Sequence, residues 1–132
     1  QDTHRSFNEN MSRILQFVEE TARTGKKRGE VMVATHNLQS LELAVEQMQT
    51  LGIDPREGGV YFGQLLGMAD NLTFPLGASG HKAYKYVPYG PLDEVVPYLV
   101  RRAHENSDMM GNASKEVGLL MREFSRRLGG TG

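Results

Sequence analysis

Two adjacent arginines stand one helical turn behind a tyrosine in Tyr98-Leu99-Val100-Arg101-Arg102, and Glu105 follows one turn later. On a helix, Tyr98, Arg101, Arg102 and Glu105 sit at offsets of three, four and seven, so one face gathers them. A paired guanidinium beside an aromatic ring suits a small carboxylate, because arginine presents a planar fork of donors that binds it bidentately. The ordinary alternative is a solvated arginine pair with an internal salt bridge to Glu105, and spacing alone leaves both open. A second polar group, Thr35-His36-Asn37, follows the apolar run Val31-Met32-Val33-Ala34 directly. In parallel α/β folds the carboxyl ends of strands face the ligand, which makes this trio a candidate site. Thr35 or Asn37 could equally cap a helix beginning at Leu38. His81 and His104 have no partner at metal-ligand spacing, His4 falls in a segment expected to fray, and no metal site is predicted. Gly63 inside an apolar run marks either packing or the close approach of a ligand. There is no G-x-G-x-x-G, Walker loop, Ser/His/Asp order or cysteine nucleophile.

The elements that must position these residues follow from periodicity. Phe7, Met11, Ile14, Leu15 and Val18 predict a helix over 6–24, stopped at Gly25. Leu41, Val45, Met48 and Leu51 predict another over 38–51, with Gly52 as its stop. Strands are predicted near 31–35, 60–66 and 83–87. Pro75, Gly77 and Gly80 make 71–80 irregular or at most a brief helix. A helix over 92–106 turns Val95, Val96, Leu99 and Val100 toward a core, and a last one spans 114–128 with Ser114 as cap. Alternation of helices with buried-type strands predicts an α/β fold with parallel pairing. Pattern alone does not separate a flavodoxin-like sheet from part of a (β/α)8 barrel. Three strands are few for either.

Composition narrows the function classes. The chain has 132 residues, with 39% hydrophobic, 23% charged and a formal net charge of -1. One unit covering 1–132 is expected, with no electrostatic reason for a nucleic acid partner. No apolar run approaches the roughly 18 residues of a membrane-spanning helix. Absence of cysteine excludes disulfides and thiolate metal sites. A start at Gln1 without methionine reads as a fragment or processed product, and the Gly-Gly-Thr-Gly end as a flexible tail.

Three segments together resemble proline dehydrogenases: Val31 to Asn37, Val60 to Met68, and Tyr84 to Asn106 with its Tyr-Lys-Tyr-Val-Pro-Tyr-Gly-Pro opening. The resemblance runs from roughly residue 6 to residue 127 and is closest to the eukaryotic, mitochondrial branch. It implies the C-terminal portion, about three β/α units, of a flavin-binding (β/α)8 TIM-like barrel that oxidises L-proline to 1-pyrroline-5-carboxylate. The strands would be the sixth, seventh and eighth, and the reduced FAD would pass electrons to a quinone. Arg101 and Arg102 match the family's carboxylate clamp. Tyr86 and Tyr98 match aromatic residues against the pyrrolidine ring, and Leu65 matches an apolar wall. Thr35, His36 and Asn37 match FAD contacts, and Glu105 a carboxylate supporting the clamp or the cofactor region. The resemblance further implies the matrix side of the mitochondrial inner membrane, peripheral membrane association, and earlier barrel strands that this chain lacks. Hydroxyproline dehydrogenase is the sister reading, disfavoured by Tyr86, where that family typically has a smaller serine. A non-catalytic barrel fragment that docks on a partner chain is the reading from outside the enzymes.

Overall fold

A computed structural model of the chain describes residues 2–25, 29–105, 117–119, 121–122 and 125–127. The described chain falls into two compact units, Gln1–Tyr86 and Val87–Gly132, and each is described by itself.

The first unit is built on helix α1 (Asp2–Arg23), strand β1 (Val31–Ala34), helix α2 (Leu38–Thr50), strand β2 (Val60–Leu65), helix α3 (Asp70–Ala78) and strand β3 (Lys82–Tyr86). Its sheet has three strands in the order β1-β2-β3, all parallel, as the alternating pattern predicted. Val31 stands opposite Val60, Ala34 opposite Gly63, and Leu65 opposite Tyr86. In a parallel sheet, opposed residues point to the same side, so register sorts the side chains into two faces. One face carries Val33, Val60, Phe62 and Gln64, all buried. Against it pack Met11, Leu15 and Val18 of α1 and Leu41, Ala44 and Met48 of α2. Those positions recur at helical spacing, which is why both helices present an apolar stripe. Phe62 is fully buried at the centre of this layer. Its truncation to alanine would cost about 3–5 kcal/mol through lost transfer energy and the cavity left behind.

The opposite face is open. Met32, Tyr84 and Tyr86 are exposed there, while Tyr61 stacks obliquely on Tyr84 at 6.0 Å and beneath Lys82 at 5.1 Å. Gly63 makes room on this face for its neighbour. A Cβ there would meet Met32 Sδ at 3.1 Å, and the strand continues through it in register. Packing therefore accounts for this glycine.

Both α2 and α3 end in the same glycine-dependent turn. Gly52 at φ 68° and Gly80 at φ 89° occupy the left-handed position that ordinary residues avoid. Ile53 then donates its N–H to Met48 O at 2.8 Å, and His81 donates to Leu76 O at 3.0 Å. The 71–80 stretch is thus more regular than expected: α3 has nine residues. Pro75 lies beyond the first turn and forfeits one backbone bond, and Gly80 closes the end instead of breaking the middle. His4, expected in a frayed end, is likewise inside α1.

The second unit contains helix α4 (Leu92–Glu105). Pro91 O accepts the amides of Glu94 and Val95 at its start. The expected burial of its apolar stripe is not observed. Val95 is half-buried, while Val96, Leu99 and Val100 are exposed. Residues 117–119, 121–122 and 125–127 are helical, in line with the last predicted helix. Its proposed cap, Ser114, and the Gly-Gly-Thr-Gly end lie outside the described residues. No described helix is long and apolar enough to cross a membrane.

Candidate functional site

Parallel strands bring their carboxyl ends to one edge, and there the first unit gathers Thr35, His36, Asn37, Leu65 and Tyr86. Thr35, His36 and Asn37 are half-buried, and each is tied into the fold by its own side chain. Thr35 Oγ1 accepts the N–H of Asn37 at 3.1 Å. Asn37 is the N-cap of α2: its Oδ1 accepts the N–H of Ser40 at 3.1 Å. Its carbonyl accepts the N–H of Leu41 at 3.1 Å, and its Nδ2 lies 3.5 Å from His4 Nδ1. The capping alternative raised by the sequence is therefore realised at Asn37. His36 Nε2 accepts the backbone N–H of Leu65 at 3.0 Å. A neutral imidazole accepts only at its unprotonated nitrogen, so this bond places the proton on Nδ1.

Leu65 and Tyr86 are opposed on adjacent strands and point to the open face. The pairing continues one residue further, with Leu66 N–H donating to Tyr86 O at 3.0 Å. Together they make a short apolar and aromatic wall at the sheet's edge. The turn beyond it is anchored from below. Lys85 Nζ reaches Asp70 Oδ1 at 2.7 Å and donates to Met68 O. Ala69, the residue between, has φ 55°, a left-handed conformation that costs a non-glycine residue of order 1 kcal/mol or more.

A buried network supports the same edge from the helix side. Gln64 is 2% exposed; its Nε2 donates to Thr35 O at 3.4 Å, and its Oε1 accepts from Thr73 Oγ1 at 3.1 Å. Sequence reading missed both this network and the Lys85 anchor. The available signal was Gln64 itself, a polar residue in the inward register set by Val60 and Phe62, where an amide must find partners.

In the second unit, Arg102 stacks on the ring of Tyr98, 5.4 Å from its centre, as the four-residue spacing predicts. Arg101 is exposed. The side chain of Glu105 lies outside what is described, so its predicted support of the clamp is a matter of sequence position. A cleft of about 300 Å³ opens elsewhere, lined by Val18, Arg23, Ile53, Asp54 and Glu57 among others, and contains none of the predicted site residues. Asp54 caps the turn beside it. Its Oδ1 accepts the amides of Glu57 and Arg56, and those bonds hold the carboxyl below its ordinary range.

A parallel sheet with a structured polar trio at its carboxyl edge defines an α/β protein, and in such folds ligands bind at that edge. Comparison with known proteins makes that class specific. The model of the family described as proline dehydrogenase matches residues 1–115, so the chain belongs to the proline dehydrogenase family. It is 48% identical over 126 residues to human "Proline dehydrogenase 1, mitochondrial", covering 96% of this chain and 21% of that protein. The fruit fly protein of the same name is 46% identical over 125 residues, covering 95% of this chain and 18% of the relative. The "Hydroxyproline dehydrogenase" of Xenopus laevis is 43% identical over 126 residues, covering 96% and 26%. The chain thus spans about a fifth to a quarter of the length of these relatives. No solved structure gives a significant match.

Proposed function

We propose that this chain is the C-terminal part of a flavin-binding (β/α)8 barrel that oxidises L-proline to 1-pyrroline-5-carboxylate, with FAD as cofactor. The observation that carries the reading is the opposition of Leu65 and Tyr86 at the carboxyl edge, beside the Thr35–Asn37 segment, in a chain of this family. The parallel strands and one helix-covered face support the barrel, since a barrel wall has helices on one face and inward-pointing side chains on the other. Relatives named mitochondrial proline dehydrogenase support mitochondrial residence; the matrix side of the inner membrane and a quinone electron acceptor are what the family resemblance implies.

The residues present fit a flavin. The edge set of Thr35, His36, Asn37, Leu65 and Tyr86 contains no carboxylate to repel a pyrophosphate. Asp70, close by in sequence, is neutralised by Lys85 at 2.7 Å. Thr35, His36 and Asn37 would hold the cofactor, with Glu105 supporting that region or the clamp. A bound FAD would supply the hydride acceptor for the carbon beside the ring nitrogen of proline.

This chain's residues supply orientation for that transfer, where placement matters more than acid or base strength. Arg101 and Arg102 bind the proline carboxylate through paired N–H donors. Stacking on Tyr98 restrains the plane of the Arg102 guanidinium and adds cation–π attraction. At the carboxyl edge of the sheet, Leu65 and Tyr86 would pack on the pyrrolidine ring, and Tyr98 in the second unit matches a further aromatic residue of the family that serves the same ring.

Steady-state kinetics of Arg101→Lys and Arg102→Lys, in the complete polypeptide containing this chain, test the clamp. Underpairing a desolvated carboxylate costs about 2–5 kcal/mol, or roughly 30- to 4,000-fold in kcat/KM, with flavin content little changed. A solvated arginine pair would cost at most about 1 kcal/mol; near-normal efficiency in both variants refutes the clamp. Hydroxyproline oxidation is the second reading, favoured by the relatives of that name. Tyr86, standing where hydroxyproline dehydrogenases typically carry a smaller serine, favours proline.

A further inference from the structure

The bond between His36 and Leu65 interrupts the sheet at a defined place. Val31 lies opposite Val60, and its N–H donates to Gly59 O at 3.0 Å. A parallel ladder in that phase sends the amides of Tyr61, Gly63 and Leu65 to the carbonyls of Val31, Val33 and Thr35. At the third of these the pattern changes. Leu65 N–H donates instead to His36 Nε2 at 3.0 Å, and Thr35 O receives the amide of Gln64 at 3.4 Å. Two side chains thus replace one backbone bond, with the imidazole standing between the ends of β1 and β2. Leu65 in turn is opposed to Tyr86, and the next amide, Leu66 N–H, bonds Tyr86 O at 3.0 Å. Where Leu65 stands therefore depends on His36.

We propose that His36 is a positioning residue for the substrate wall: through Nε2 it fixes the backbone of Leu65, and so the Leu65 and Tyr86 side chains that flank the ring. The inference rests on the proposed function and gives His36 a task separable from a direct cofactor contact. Glutamine and asparagine divide the imidazole between them. Glutamine reaches with Oε1 to the place of Nε2 and keeps an acceptor for Leu65. Asparagine reaches only to the place of Nδ1.

The test compares His36→Gln and His36→Asn in the complete polypeptide, reading amide hydrogen exchange at Leu65, KM and kcat for proline, and flavin content. With asparagine, Leu65 exchange accelerates and KM rises, each about ten-fold, while kcat changes much less. With glutamine, Leu65 exchange stays within about two-fold of the parent and KM rises less than with asparagine, since its amide oxygen accepts the same bond. Equal Leu65 exchange in the two variants, or a KM raised as much by glutamine as by asparagine, overturns the proposal. Absence of proline turnover in the parent would instead refute the proposed function, and Leu65 exchange would still decide whether His36 holds the strand.

Discussion

Replacing Asn37 with alanine removes the acceptor for Ser40 N–H, a 3.1 Å bond in the first turn of α2. Ser40 is 1% exposed, so water cannot substitute for the lost cap. Capping losses of this type cost about 0.5–2 kcal/mol, and burial of the orphaned donor puts this one in the upper half, about 1–2 kcal/mol. Asn37→Asp keeps an acceptor and adds negative charge at the helix start, worth about 0.3–1 kcal/mol in the stabilising direction. Native-state hydrogen exchange at Ala44 and Met48, whose amides lie within α2, reads the difference. Alanine should speed exchange there by roughly 5- to 30-fold, and aspartate should leave it equal or slower. Flavin content, measured alongside, separates cap from cofactor contact. Aspartate keeps the cap but sets a carboxylate at the edge, so a cofactor held beside residue 37 shows as flavin loss without loss of helix protection. Parental exchange in Asn37→Ala, or equally fast exchange in both variants, would refute the capping argument.

Burial lowers the pKa of His81 below its ordinary 6.5, against a smaller opposing effect of the ring's hydrogen bond to the Leu76 backbone. The unfolded chain therefore takes up the proton first, so His81 favours the fold above pH 6.5 and that contribution is lost as pH falls below it. His81→Gln should flatten that part of the stability-versus-pH curve, and an unchanged slope would contradict it. Tyr86→Ser should raise the efficiency ratio of hydroxyproline to proline in kinetics on the complete polypeptide, and an unchanged ratio would remove Tyr86 from the pocket. The 132-residue chain alone leaves the outer edges of β1 and β3 unpaired among the described residues. It should bind dyes that report exposed apolar surface and self-associate, whereas a sharp monomeric unfolding transition would count against this.

The strands were legible because their signals are local. Val31–Ala34 is a short β-rich run, and β2 alternates buried and half-buried residues along its whole length. Helix α3 was legible only as a brief helix at most, since Pro75, Gly77 and Gly80 read locally as breakers. Only the turn in which His81 N–H finds Leu76 O shows that Gly80 terminates a helix. For Asn37, sequence offered cap and ligand together because its amide carries both an acceptor and a donor; geometry commits the acceptor to Ser40 and sets the donor 3.5 Å from His4 Nδ1. The His36–Leu65 bond spans 29 positions, and nothing local in either residue announces it. Arg101 and Arg102 were placed correctly on a helix, but an arginine pair takes its role from the anion it meets, which periodicity does not encode.

The central claim is that this chain helps to hold a flavin and present proline to it. Anaerobic titration of the complete, flavin-loaded polypeptide with L-proline tests it most directly, followed by the bleaching of the oxidised flavin band. Proline should bleach the band stoichiometrically and hydroxyproline more weakly, and Arg101→Lys and Arg102→Lys should lose the proline response at unchanged flavin content. A flavin that stays oxidised in excess proline, or one bleached preferentially by hydroxyproline, would contradict it.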